Sequence, residues 1–250
     1  MTPPPLDGVR VIDLGLLLPG PFASRLLADL GADVIKVEPP WGDPGRTLLA
    51  GLTPFLERGK RAVRVDLRAE GAAEFVLDLV AGADVVIEGF RPGVADRLGV
   101  GFEAAAASNP RIVYCSISGY GQDGPAHRQP AHDANIQASA GALAGMLAAG
   151  EEPITPYLPM ADQSAALFAA LSIVATLYRT IGDGPPPTPV HLDVSMQEAM
   201  LQVALPRWGT VLTGGGEPTA EELVAYSPGA GVFPTSDRRH VSIGAIEDKF

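Results

Sequence analysis

The sequence predicts an α/β fold: a Rossmann-like parallel sheet flanked by helices forms a large domain, followed by part of a smaller second domain. Three observations carry this expectation. Short runs rich in β-branched residues alternate with helical patterns through roughly the first half of the chain, an arrangement that builds βαβ units and therefore parallel strands. The 250 residues, 46% hydrophobic and 19% charged, have the makeup of a globular chain with a substantial core. From residue 132 the pattern changes to longer helices, and a proline-rich break, GDGPPPTP at 182–189, sets off the remainder.

The strand readings come first. VRVIDLG (9–15), ADVIKVE (32–38), RAVRVDL (61–67), ADVVIEG (83–89) and RIVYCSIS (111–118) are short, β-branched and bounded by Gly, Pro or Asn. Between them PFASRLLADLG (21–31) and AEGAAEFVLDLVAG (69–82) read as helices, with left-handed caps expected at Gly31 and Gly82. HDANIQASAGALAGMLA (132–148) and ADQSAALFAALSIVATLYRT (161–180) follow, the second with Asp162 in its first turn, where a carboxylate is favoured. After the break, VHLDV (190–194) is strand-like, SMQEAMLQVAL (195–205) helix-like, TGGGEPTAEE (213–222) flexible, and RRHVSIGAIEDKF (238–250) contains a strand. The domain boundary is placed at 189/190, with 190–250 a linker and the start of a small domain. Because the sequence stops just after an apparent strand, the chain is expected to be partial.

Composition narrows the function. A formal net charge of -11 opposes binding to nucleic acid or an anionic membrane. No uninterrupted apolar run of membrane-spanning length is evident, and MTPPPLDG lacks the basic start and apolar stretch of a secretory signal, so the expected compartment is the cytoplasm. The single cysteine, Cys115, lies in a strand and is read as a small buried apolar residue. Of the 18 Lys and Arg, 11 fall within residues 1–100, among them Arg58, Lys60, Arg61, Arg91 and Arg97.

Familiar motifs fail on mechanism. GLLLPGPFA has the wrong glycine spacing for a dinucleotide loop, and ERGKRAV lacks the upstream glycine and the hydroxyl residue of a phosphate loop. SISGYG around Ser118 is not a nucleophile elbow. His127 and His132 belong to no metal-ligand spacing, so no metal is expected. What remains is GYGQDGPAHRQPAHDANIQ (119–137), a loop that puts two of the four histidines at the mouth of a helix. Taken singly, His132 is a neighbour of a helix cap, Asp162 a first-turn acid and Glu247 an ordinary polar residue.

In combination these stretches carry more. PLDGVRVIDLGLLLPGPFASRLLADLGADVIKVEPPWGDPGR, ERGKRAVRVDL, EGFRPGVADRLGVG, YCSISGYGQDGP, AHD, MADQSAALFAALSIVATLY and VSIGAIE follow one another in an order and spacing that resemble the family III CoA-transferases (CaiB/BaiF) and their racemase relatives. Within that family, AHD (131–133) and GAIE (244–247) are similar to the α-methylacyl-CoA racemase branch. The resemblance implies a CoA-binding large domain, an acyl-CoA thioester substrate that brings coenzyme A with it, no permanently bound cofactor, and an interlocked homodimer. It further implies inversion of the α-carbon of a 2-methylacyl-CoA through an enolate, with His132 and Glu247 as one acid/base arm and Asp162 as the other. Arg91 and Arg97 would meet the coenzyme phosphates, with Lys36 and Lys60 as weaker candidates for the same task. Two alternatives stay open: a CoA-transferase in which Asp162 carries the acyl group, and a non-catalytic CoA-binding form. Two positions depart from the pattern: Pro39 stands where the family commonly has arginine, and Ile136 where the racemases tend to carry an aromatic residue.

The chemistry sets its own demands. Inverting a carbon beside a thioester takes a proton off one face and returns one to the other, so two opposed proton carriers are the minimum. An unperturbed imidazole titrates near about 6.5 and serves as a base, whereas an unperturbed Asp near about 3.9 is a weak one. At Asp162 a helix N-terminus would lower that value and apolar burial would raise it. The developing enolate oxygen needs fixed donors, for which the free backbone N–H groups where the helix begins, near Asp133, are suited.

Overall fold

The computed structural model describes residues 2–143, 152, 154–183, 188–215 and 230–245. Six strands, β1 (Arg10–Asp13), β2 (Asp33–Glu38), β3 (Arg61–Arg64), β4 (Val85–Glu88), β5 (Val113–Ser118) and β6 (Val190–Ser195), form one all-parallel sheet in the order β3-β2-β1-β4-β5-β6. This is the doubly wound order, in which chain direction switches between β1 and β4 and a crevice opens beyond their carboxyl ends. The helices are α1 (Pro19–Asp29), α2 (Gly45–Leu48), α3 (Thr53–Leu56), α4 (Ala72–Ala81), α5 (Val94–Arg97), α6 (Phe102–Ser108), α7 (Asp133–Ser139), α8 (Met160–Asp183), α9 (Met196–Val203) and α10 (Leu205–Thr210).

Strands β4 and β5 are buried along their whole length, because both faces of a parallel sheet are covered. Val11, Val34, Val85, Ile87 and Cys115 pack under α1 and α8 on one face, while Ile12, Val86, Ile112 and Tyr114 pack with α4 and α6 on the other. Pro19 opens α1 at a position that has no use for an N–H, and Gly31 closes it in the left-handed conformation with φ 102°. Gly82, expected in the same role, ends α4 with an ordinary φ of -106°.

Two expectations are corrected. The proline-rich break does not separate two units at 189/190: β6 begins there and pairs with β5 from Val190 to Ser195, and α9, capped by the Ser195 hydroxyl accepting from the Glu198 N–H, packs on α8. The reading of 132–148 as one helix also fails. α7 ends at Ser139, where the Ala142 N–H reaches the Gln137 carbonyl at 2.9 Å and the Gly141 N–H the Ala138 carbonyl at 2.9 Å, the pair of bonds that terminates a helix.

Helix α8 qualifies the hydropathy reading, since Met160–Arg179 is long and apolar enough to cross a membrane, with a mean hydropathy of 1.5. Here its small side chains, Ala161, Ala165, Ala166 and Ala169, are buried against the sheet and α1. Beyond α10, β7 (Ala230–Pro234) and β8 (His240–Gly244) form an antiparallel hairpin.

Candidate active site

The crevice at the switch point is a cleft of about 210 Å³. Much of its wall comes from the carboxyl ends of strands and the starts of helices: Leu16 and Leu17 after β1, Phe90 and Arg91 after β4, His132 before α7 and Asp162 in the first turn of α8. Of the residues singled out in the sequence, His132, Asp162 and Arg91 therefore share one cavity.

His132 is the N-cap of α7, extended at φ -126° and ψ 170°, and its backbone N–H donates to Asn135 Oδ1 at 3.0 Å. The ring stands exposed at the cleft. Asp133 follows at the first helical position, whose N–H has no acceptor within the helix. Its carboxylate turns away to α8, where Oδ1 accepts from the Ala161 N–H at 2.8 Å and the Asp162 N–H at 3.1 Å. The other oxygen accepts from Gln137 Nε2, a fully buried amide that also donates to the Leu158 carbonyl at 2.9 Å. One carboxylate thus ties the starts of α7 and α8 together and sets His132 and Asp162 on the same cleft.

Asp162 carries the electrostatic anomaly. Burial penalises its charged form and the neighbouring Asp133 carboxylate repels it, so its carboxyl is pushed up to about 7. Burial and like charge therefore outweigh the helix terminus, whose N–H groups Asp133 has taken. A carboxyl titrating near neutrality both gives and accepts protons under working conditions.

The other candidates lie elsewhere. Arg97 is exposed on α5 and does not line the cleft. Lys36 and Lys60, expected against phosphates, each have side chains only 1% exposed and are paired with carboxylates: Lys36 with Asp43 at 2.9 Å and Glu57 at 3.0 Å, Lys60 with Asp13 at 3.1 Å and Glu57 at 3.0 Å. Buried ammonium groups need such partners, and the pairing leaves them facing the interior rather than a ligand. Asp133 does not line the cavity, its side chain serving α8 instead. Glu247 lies outside the described residues. Ile136 is fully buried in the core, one turn inside α7.

Sequence reading missed several walls. His127, read as facing solvent, is half-buried at the cleft beside Gln129, its Nδ1 2.6 Å from the Gly124 carbonyl. A second, more apolar cavity of about 380 Å³, lined by Pro39, Trp41, Leu67 and Arg68, shares Leu16 and Phe90 with the first. Phe90 is held between the two by its own N–H, which donates to buried Glu88 Oε2 at 2.7 Å. No spacing rule predicts these contacts, because they come from loops that meet only at the sheet's carboxyl edge. Among the described residues no group of three or more His, Cys, Asp or Glu is arranged to hold a metal.

Doubly wound topology and a cleft at the switch point that brings His132, Asp162 and Arg91 together define an α/β protein with its candidate site where open parallel sheets bind ligands. The family model of CoA-transferase family III matches residues 6–250, and the chain belongs to that family. It is 38% identical over 251 residues to an acetyl-CoA:oxalate CoA-transferase of Acetobacter aceti, covering 95% of this chain and 62% of that one. It is 33% identical over 248 residues to an alpha-methylacyl-CoA racemase of Mus musculus, covering 98% of this chain and 62% of that one. The crystal structure of a CAIB/BAIF family protein from Brucella suis superposes with a TM-score of 0.85 at 32% identity, over 95% of this chain and 65% of the other. The chain thus spans less than two thirds of the length of these relatives.

Proposed function

We propose that the chain provides the proton-transfer half of an acyl-CoA racemase, which inverts the α-carbon of a 2-methylacyl-CoA by removing and returning its proton. The observation that carries this reading is the joint presence of His132 and Asp162 on one cleft. In one direction the imidazole takes the α-proton and the Asp162 carboxyl supplies the replacement; in the other the roles exchange. A carboxyl at about 7 is suited to both roles, being neither fully ionised nor fully protonated at neutral pH. Backbone N–H groups at the start of α7 would receive the enolate oxygen, and Glu247 would steady the imidazolium, as the resemblance implies. The shared wall of Leu16 and Phe90 joins the reacting cleft to the apolar cavity around Trp41 and Arg68, so the trough accommodates a thioester at one end and an extended carrier at the other, with Arg91 beside it as a phosphate partner.

A second reading has its own support. The oxalate CoA-transferase is more similar in sequence than the racemase, at 38% against 33%. In that reaction an Asp162 carboxylate oxygen attacks the thioester carbonyl, the coenzyme thiolate leaves, and an acyl-carboxyl anhydride remains on the protein. This reading is placed second because it gives His132, which shares the cleft with Asp162, no part in the chemistry.

Incubation with a 2-methylacyl-CoA in heavy water decides between them. Incorporation of deuterium at the α-carbon without a free acid acceptor is the expected result. Hydroxylamine trapping at Asp162, with coenzyme transfer to an added acid and no α-exchange, would establish the transferase instead. Coenzyme binding with neither reaction would leave a binding form.

A further inference from the structure

Behind the cleft wall lies a cluster that the reaction does not use. Three carboxylates, Asp13, Asp43 and Glu57, and two ammonium groups, Lys36 and Lys60, are packed beneath the β1–α1 loop, and all but Glu57 have side chains no more than 1% exposed. Each charge except Glu57 is tied to backbone of the loop or of an adjoining helix as well as to its counter-ions. Lys36 Nζ donates to the Gly15 carbonyl at 2.9 Å, Lys60 Nζ to the Pro21 carbonyl at 2.8 Å, and Asp13 Oδ1 accepts from the Gly15 N–H at 2.9 Å. Asp43 accepts from the Leu17 N–H, at 3.2 and 3.3 Å to its two oxygens, and from the Gly45 N–H at 2.7 Å.

The loop held in this way is strained. Leu17 has φ 65°, one of two non-glycine residues with positive φ among those described. A γ-branched residue in that region pays a steric penalty that persists only where its surroundings impose it. The loop is also closed tightly: a Cβ on Gly15 would stand 2.8 Å from the Gly20 Cα, and one on Gly20 would stand 2.9 Å from the Gly15 Cα, so neither position takes a side chain without moving backbone. The strained segment is functional surface, since Leu16 and Leu17 line the cleft with His132 and Asp162.

We propose that the buried Lys36–Asp43 pair is a positioning device for the cleft: Asp43 holds Leu17 in the left-handed conformation and thereby fixes Leu16 and Leu17 as the wall against which the acyl end of the substrate rests. Lys36 pairs with the Asp43 carboxylate at 2.9 Å and aims it at the loop while gripping the Gly15 carbonyl from the same side. The two lysines thus act on ligand binding from behind the wall, not as contacts to phosphate. The inference rests on reading the cleft as an acyl-CoA site, but the clamp itself is tested without turnover.

The test uses the full chain with Asp43→Asn, which removes the charge, and Asp43→Glu, which keeps a buried counter-ion for Lys36 but displaces the acceptor from the Leu17 N–H. Amide hydrogen exchange of the peptide covering 14–20 is expected to accelerate about tenfold in both, with β4 and β5 unchanged. Unchanged exchange in this peptide overturns the clamp, and should Asp43→Asn fail to fold, Asp43→Glu decides alone. Leu17→Gly is expected to melt above Leu17→Ala, reversing the usual order because only glycine adopts this φ without strain; the ordinary order overturns the strain. For α-proton exchange on a 2-methylacyl-CoA, Asp43→Glu is expected to raise KM about tenfold with a smaller change in kcat, the signature of a displaced binding wall. An unchanged KM overturns the positioning role. If the unmodified chain exchanges no α-proton, the proposed reaction fails while the amide-exchange result still judges the clamp.

Discussion

A carboxyl in the first turn of a helix is ordinarily kept ionised by the free N–H groups there, yet Asp162 titrates near about 7. Burial raises it first, and Asp133 raises it further while occupying the N–H groups of Ala161 and Asp162. Asp133→Asn keeps an oxygen for those donors but removes the like charge, so the Asp162 carboxyl is expected to fall. The acidic limb of the pH–rate profile for α-proton exchange then moves to lower pH; a limb that stays in place or rises would show that Asp133 does not tune Asp162. Asp162→Asn removes one of the two proposed proton carriers and is expected to slow exchange by about 100- to 10,000-fold, measured as deuterium incorporation. His132 and Asp162 were legible as residues because the segments around them carry a family resemblance. The coupling through Asp133 was not, since a sequence shows an acid at a helix start without showing which helix it caps.

Helix α8 makes the same point one scale up. Its existence follows from a 24-residue run without Pro, but its buried face does not, because apolar residues surround the helix. Alanines at 165, 166 and 169 turn inward and are 0% exposed, whereas Leu167 and Leu171 are 54% and 63% exposed. A pattern that places the largest apolar residues inside picks the wrong stripe; close approach to α1 and the sheet requires small ones. Ala169→Leu should therefore overpack that contact and cost about 1–3 kcal/mol, whereas Leu171→Ala should stay within about 0.5 kcal/mol. Urea denaturation followed by circular dichroism measures both, and equal penalties would refute the inward alanine face. Strand β6 was recognised as a strand but assigned to a second unit, since prolines beside a strand mark a connection without saying which sheet lies at its end. Strand β7 was not foreseen, and its pairing with β8 across 235–239 is the hairpin that the terminal strand reading lacked.

Across the whole molecule, parallel order and layer arrangement were legible from alternation alone, whereas the buried charges were not: Lys36, Lys60, Asp13 and Glu88 look like surface residues until the sheet closes over them. These groups give the fold an uncommon pH dependence. Asp162 and Glu88 are both pushed up to about 7, Glu88 by burial and by Asp96 and Asp193 against its bonds from Ser116 and Phe90. Between the ordinary carboxylate range and about 7 the folded chain holds protons that the unfolded chain has released, so stability falls as pH rises through this window. Asp13 runs the other way. Burial is the largest single effect and would raise it, but Lys36, Lys60 and the hydrogen bonds from Ser24 and the Gly15 N–H together hold it below its ordinary value, so its contribution is present above the carboxylate range and lost as pH falls through the folded value. A net charge of -11 adds repulsion on the alkaline side. The melting temperature should accordingly peak near about pH 4–5, on the acidic side of the interval from roughly 5 to 8 where most proteins are most stable. Melting curves from acid to alkaline pH check this, and Asp162→Asn combined with Glu88→Gln should flatten the decline toward neutrality by removing both buried ionisations. A maximum above neutrality in the unmodified chain, or a decline untouched by the double substitution, would mean that these two carboxyls do not govern its stability.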